Sequence, residues 1–292
     1  MKKNLFVVCI LLISVNFAQA QLPFKLGFKA GLNASRFLGP AETDNDGNTL
    51  EKFSNNTGFL VGVNAGFPFN NIFGARVELQ YSINGGRRLF ESQNAYQKFT
   101  TIDSKPIVTT GYKRYNLNTF NSYIQLPVSL YAKLFKKIEI SAGISPGFLI
   151  SSTGTGEIKH VFNGTTTLKD NTLVQELDYN YGSDKIGSIA GNPVNFNLNT
   201  EAIATRSILN AYENFTEKSG GYYESFDLGA LLGLAYYFNS SLYLGANMYY
   251  GLKDVSRETY DISLQKLDAG KFIKRNDFDR NFALQFMLGF QF

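Results

Sequence analysis

Four ionisable residues stand where they could act together: Lys29, Arg76, Glu78 and Asp227. Each lies in a stretch of alternating polar and apolar residues, on the polar phase, so all four would point to the same side of a sheet. Cations and carboxylates converging in a narrow space make either a selective gate or a charge-paired plug. Buried ions must be neutralised, so the plug is the preferred expectation for this lumen cluster. His160 is the sole histidine and no nucleophile motif accompanies it, so it is expected as an exposed loop residue and no catalytic residue is assigned. Asp44-Asn45-Asp46-Gly47-Asn48 has carboxylates at alternate positions, as a calcium loop would, but the spacing that follows fails the EF-hand pattern. An Asx-rich turn is expected there instead. No metal, cofactor-binding residue or cofactor is expected.

Composition supports these exclusions. The 292 residues include one Cys, one His, no Trp, 26 Phe and 17 Tyr, with 18% charged and 44% hydrophobic residues. A disulfide scaffold is ruled out by a single cysteine, Cys9. The net charge of +4 contains no basic stripe, so nucleic acid is not an expected partner.

Lys2 and Lys3, the apolar run Leu5 to Val15, and Ala18-Gln19-Ala20 have the order of a secretory signal peptide. Residues 1–20 are expected to be cleaved, leaving 21–292 as one domain. The apolar run is too short to span about 30 Å of hydrocarbon as a helix.

The elements that must position the ionisable residues are strands. From Phe24, every even position to Ala34 is apolar and the odd positions hold Lys, Gly and Asn. The same two-residue period returns at 59–67, 73–81, 124–132, 138–148, 226–236, 242–250 and 282–292, which makes eight strands. The apolar phase carries no charge, while the other phase holds Lys29, Arg76, Glu78, Glu139, Asp227 and many glycines.

Eight strands enclose a space that side chains just fill, too small for so many large apolar groups. Those groups must therefore face lipid, and backbone can cross hydrocarbon in strands only if the sheet closes without a free edge. Inward glycines such as Gly74, Gly229 and Gly289 would leave room for Tyr131, Tyr243 and Arg76. Outward aromatics gather in two rows. Phe24, Phe67, Phe73, Tyr236, Phe290 and Phe292 form one; Phe59, Tyr81, Phe148, Phe226, Tyr250 and Phe282 form the other. At about 3.3 Å per residue and about 40° tilt the rows stand roughly 20 Å apart, as girdles of an outer-membrane barrel do.

The expected fold is thus all-β: an eight-stranded antiparallel up-and-down transmembrane β-barrel with long extracellular loops. Short turns at Asn70-Asn71, 135–137 and 239–241 alternate with long loops at 37–56, 85–119, 151–221 and 253–280. That asymmetry places the short turns and both termini in the periplasm. Within the third loop, Asn199-Thr200-Glu201 followed by Ile203, Ile208, Ala211, Tyr212 and Phe215 predicts a capped amphipathic helix. Phe290 and Phe292 form a candidate assembly signal for the barrel-assembly machinery, an expected partner along with outer-membrane lipid.

Gly31-Leu32-Asn33-Ala34-Ser35, Val77-Glu78-Leu79-Gln80-Tyr81-Ser82, Tyr123-Ile124-Gln125-Leu126-Pro127-Val128, Phe226-Asp227-Leu228-Gly229 and Gly251-Leu252-Lys253-Asp254-Val255 occur in that order. With the terminal Phe292, they resemble the PorT-like outer-membrane β-barrel family of Bacteroidota. The resemblance covers the strands and not the loops. It implies an outer-membrane location, and some members of that family serve type IX secretion. The expectation is a non-enzymatic barrel that works through protein contacts of its loops or turns, with an envelope protein as partner. A small pore and a rim-located surface enzyme using His160 are the alternatives.

Overall fold

The computed structural model describes residues 24–187 and 190–292; the expected signal peptide lies outside the described residues. In chain order the first strands are β1 (Lys25–Leu38), β2 (Glu51–Ser54), β3 (Asn56–Pro68), β4 (Phe73–Thr100), β5 (Pro106–Gln125), β6 (Val128–Leu134) and β7 (Ile138–Phe162). They are followed by β8 (Thr172–Asn180), β9 (Ala190–Leu198), β10 (Glu201–Leu209), β11 (Phe226–Tyr237), β12 (Leu242–Gly251), β13 (Ile262–Asp268), β14 (Lys271–Lys274) and β15 (Arg280–Gln291).

Eight staves close the wall in the order β1, β3, β4, β5 with β6, β7, β11, β12, β15. β15 returns to β1 through twelve antiparallel pairs, from Gly27↔Gln291 to Leu38↔Arg280. No backbone edge is left facing hydrocarbon. The alternation in sequence becomes alternation in space: Leu26, Phe28, Leu32, Val63, Leu79, Leu130 and Leu234 are exposed on the outside, and Lys29, Arg76, Glu78, Gln80 and Glu139 are buried inside. One stave is broken at Leu126-Pro127, since Pro127 has no N–H to give. The gap is bridged by Leu126 donating to the carbonyl of Pro146 and Glu78 to that of Pro127, both at 2.9 Å.

Short turns join β3–β4, β6–β7 and β11–β12. Asn70 and Asn239 each accept two backbone N–H groups with Oδ1, at 2.7–2.8 Å. Phe135 and Lys136 take φ of 50° and 59°, as a two-residue hairpin turn requires.

At the other end the structure differs from the expected loops. Segment 85–119 is a hairpin: β4 and β5 stay paired out to Thr100↔Pro106, with a bulge between Ser92 and Ala95. β4 has 28 residues. Its contour is roughly 90 Å at about 3.3 Å per residue, some three times about 30 Å of hydrocarbon. β7 rises beside β5 to Gly111↔Phe162, β8 pairs with β7, and β10 and β9 extend the sheet. The result is a β-structured head continuous with the wall.

The helix expected from residue 199 is absent; residues 201–209 form β10, paired with β9 from Glu201↔Leu198 to Ile208↔Ala190. Ile203 lies opposite Phe196 and is fully buried with Phe99, Phe162 and Leu198. β-branched Ile203, Thr205 and Ile208 suit this pleated surface, and burial against β9 outweighs the helical spacing. Ala211 and Tyr212 then turn into a second cluster with Phe37, Tyr181, Tyr223, Val255 and Tyr260.

Candidate functional site

The expected lumen cluster separates into two layers. Near the short turns, Lys29 on β1 is paired with Glu78 on β4, and Arg76 Nη2 lies 2.7 Å from Glu139 Oε1 on β7. Tyr237 donates to the second oxygen of Glu139 at 3.0 Å, and the Arg76 guanidinium lies 5.1 Å from the Tyr131 ring centroid. Glu139 completes the charge balance of two cations and two carboxylates. It shares the inward phase with the other three, but nothing in the sequence tells that Arg76 of β4 reaches past β6 to Glu139 of β7 at this height. Above this layer Gln80 donates to Gln125 at 2.6 Å, and Asn33 to Ser82 at 2.8 Å.

Asp227 does not join the cluster. It sits toward the head end, where Tyr249 and Asn281 donate to its Oδ2 at 2.7 and 2.8 Å. Glycines make room for the rings, as the alternation implied: a Cβ on Gly74 would strike Tyr131, one on Gly229 would strike Tyr249, and one on Gly289 would strike Tyr243. A void of about 20 Å³ remains near Arg76, Glu139, Tyr243 and Met287. That is space for about one water molecule.

A second ionic cluster, unforeseen from the sequence, lies in the head. Glu51 is fully buried between Arg88 and Arg275; Arg275 Nη1 reaches it at 2.8 Å and Nη2 reaches Asp277 at 2.6 Å. The carboxylates of Asp261, Asp277 and Asp279 offer oxygens within 4.8 Å of one another, a trio with the spacing to hold a cation. Arg275 already stands 4.0 Å from Asp261. Four carboxylates therefore share two guanidinium groups. Burial, then the hydrogen bond with Asp277, pushes the Asp261 carboxyl up to about 8; burial, then the charge of Asp277, pushes Asp279 up to about 6. Arg275, Asp277 and Asp279 alternate in one short stretch of the last connection, whereas Glu51 and Arg88 come from distant segments that no local spacing joins to it.

His160 is not an exposed loop residue. It is 5% exposed on β7, opposite Lys113 on β5, with its ring against Phe99 and Phe162. Burial, and secondarily the Lys113 charge, brings it down to about 3, so it is neutral at ordinary pH. Lys113 is brought to about 7 by burial; its ammonium lies 3.6 Å from the Tyr96 centroid and donates to the Leu264 carbonyl at 3.0 Å. No hydroxyl nucleophile bonds the His160 ring among the described residues.

The Asp44 segment is an Asx turn. Asp44 Oδ1 accepts from the backbone of Asp46 and Asn48 at 2.9 and 2.8 Å, and Gly47 takes φ 82°. Phe290 and Phe292 lie on the outer wall near Phe28, with Phe290 stacked on it at 5.8 Å.

Residues 17–257 match the family described as outer membrane protein beta-barrel domain. The chain belongs to this family. The match ends before β15, which the sheet pairing makes the closing stave. No curated protein matches the chain. Among solved structures, the attachment invasion locus protein Ail of Yersinia pestis is similar at 9% identity, with 92% of this chain and 98% of that one covered and a TM-score of 0.36. Neisserial surface protein A is similar at 9% identity, covering 91% and 97%, TM-score 0.37. OprG from Pseudomonas aeruginosa is similar at 11% identity, covering 92% and 95%, TM-score 0.37. None of these three bears on what the chain binds. Family and fold make the protein a bacterial outer-membrane β-barrel.

Proposed function

We propose that this barrel is a non-enzymatic anchor that holds its β-structured head above the membrane as a rigid platform for an envelope protein. The observation that carries this reading is continuity. β4, β5 and β7 run from wall to head as continuous strands, so a load or partner on the head is borne by the barrel itself. The orientation that follows has short turns and both termini in the periplasm, after removal of the 1–20 signal peptide. Outer-membrane lipid surrounds the wall, and the barrel-assembly machinery would read Phe290 and Phe292 during insertion. The PorT-like resemblance makes a component of a type IX secretion complex one candidate partner.

Two features speak against the alternatives. The paired charges and the void of about 20 Å³ support a plug over a pore. His160 is buried and neutral, in a setting suited to packing more than to rim catalysis. Capture of head-bound proteins in mild detergent, compared between the full chain and a headless barrel, tests the proposal. It fails if both retain the same partners. Steady conductance by the full chain in planar bilayers would favour a pore instead.

A further inference from the structure

At the head end of the wall, three neighbouring staves each carry a cation stacked on an aromatic ring of the next stave. Arg36 of β1 lies over Phe282 of β15 at 5.5 Å. Arg280 of β15 lies 5.7 Å from the Tyr250 centroid on β12, donates to its hydroxyl at 2.7 Å, and also covers Phe278 at 4.5 Å. Lys253, just past β12, lies over Phe226 of β11 at 4.9 Å. Phe226, Tyr250 and Phe282 belong to the aromatic row at the head end, so the cations stand at that membrane boundary and on the lipid side.

None of the three makes an ion pair among the described residues, whereas Lys29, Arg76, Arg88, Arg257 and Arg275 all do. Acids on the same rim are engaged elsewhere: Glu224 by Arg257, and Asp254 by the N–H groups of Ser256 and Asp279. Among the described residues the opposite aromatic row has no counterpart. The cation–π contacts near it, Arg76 on Tyr131 and Lys133 on Tyr237, involve the inward Arg76 and the buried Tyr237. Three cations at one lipid boundary make no close ion pair among the described residues, although Lys253 lies within electrostatic reach of Asp227, and with their flanks resting on rings they have N–H donors to offer an anion that comes from the membrane. Guanidinium forks match phosphate oxygens in geometry.

We infer that Arg36, Arg280 and Lys253 form a docking belt for the phosphorylated headgroup of an outer-leaflet lipid. The belt rests on the orientation proposed above, which labelling of Ser104→Cys at the hairpin tip on intact cells reports separately.

The test reconstitutes the full chain in phosphatidylcholine nanodiscs containing a bis-phosphorylated glucosamine lipid or its dephosphorylated form. After mild detergent extraction, native mass spectrometry counts the lipid retained. The phosphorylated form should be retained over the dephosphorylated one, and R36Q, R280Q and K253Q should each lower retention about fivefold. K136Q/K137Q at the short-turn end should change nothing, and heat-modified gel mobility shows that each variant is folded. Equal retention of both lipids, equal retention by the R36Q/R280Q/K253Q variant, or full displacement by inorganic phosphate alone would overturn the proposal.

Discussion

The wall and the head bury ions in opposite ways. In the short-turn half of the wall, Lys29 and Arg76 meet Glu78 and Glu139 one to one, while Asp227 at the head end is held by Tyr249 and Asn281. In the head, Glu51, Asp261, Asp277 and Asp279 crowd around Arg88 and Arg275. The layer near the short turns is ringed by lipid and has no nearby water to screen an unmatched charge, so neutrality there is built in residue by residue. The head is bathed by solvent and can carry an acid excess by keeping a carboxyl protonated. A closed wall therefore gains constancy, and the head gains a dependence on pH.

The largest effect expected from breaking this contrast comes from removing one partner of a wall pair. Glu139→Ala leaves Arg76 buried without its carboxylate and should cost about 3–5 kcal/mol. Glu224→Ala, which removes the half-exposed head pair with Arg257, should cost less than about 1 kcal/mol. Urea unfolding in lipid vesicles measures both, and equal losses would mean that the wall pairs are not the charge seal described.

The two faces of the wall give the next effect. Leu79→Arg or Leu130→Arg sets a charge against lipid near mid-membrane, at roughly 2–4 kcal/mol. Gln80→Arg points into a lumen rich in acceptors and should be milder. If Gln80→Arg shifts the folding-dependent gel band as much as Leu79→Arg does, the lumen has no slack for a longer side chain.

How much could be read beforehand follows from the same chemistry. In β4 the outward positions Val77, Leu79 and Tyr81 are apolar while the inward Glu78, Gln80 and Ser82 are polar. Past Gly85-Gly86 the parity stays and the chemistry inverts: Phe90 is buried inside, and Arg87 and Glu91 face out. β5 repeats this, with Tyr115 and Leu117 inside and Arg114 and Asn116 outside. A pattern tuned to lipid therefore ends where the strand enters water, although the strand goes on. The lumen residues were legible from parity because a barrel fixes which phase faces in. The Glu51–Arg88–Arg275–Asp261 cluster was not, because its members meet only through the packing of three separate connections.

That inversion also sets what a headless barrel must omit. Deleting 155–218 alone uncovers Phe90, Tyr115 and Leu117, which pack on Ile158 and Leu177. A chain that also loses roughly 88–115, each gap closed by a short Gly/Ser linker, should insert and remain heat-modifiable, since closure cost grows slowly with loop length. The partial deletion should aggregate more. Better recovery of the partial deletion in refolding yields would show that the hairpin folds without the rest of the head.

The smallest effect concerns pH. Asp261 has a folded value of about 8 against an ordinary 3.8, so the folded head holds a proton that the unfolded chain releases between those limits. Its contribution to stability is complete below about pH 4 and is lost as pH rises toward 8. Asp279 acts in the same sense up to about 6. His160, held near 3 against 6.5, acts oppositely: the unfolded chain takes up a proton that the buried ring cannot, so stability is lost as pH falls from 6.5 toward 3. Lys113, held near 7 against 10.5, likewise loses stability as pH falls through that range. Asp261→Asn removes one contributor and leaves the other three in place, so the difference between variant and parent isolates it. Amide exchange across β13 and β14 should give the variant a protection advantage that grows from pH 5 to pH 8 and shrinks again on return to pH 5. A constant difference across that interval would mean that Asp261 stays ionised among its neighbours, with Arg88 and Arg275 able to neutralise all four carboxylates after all.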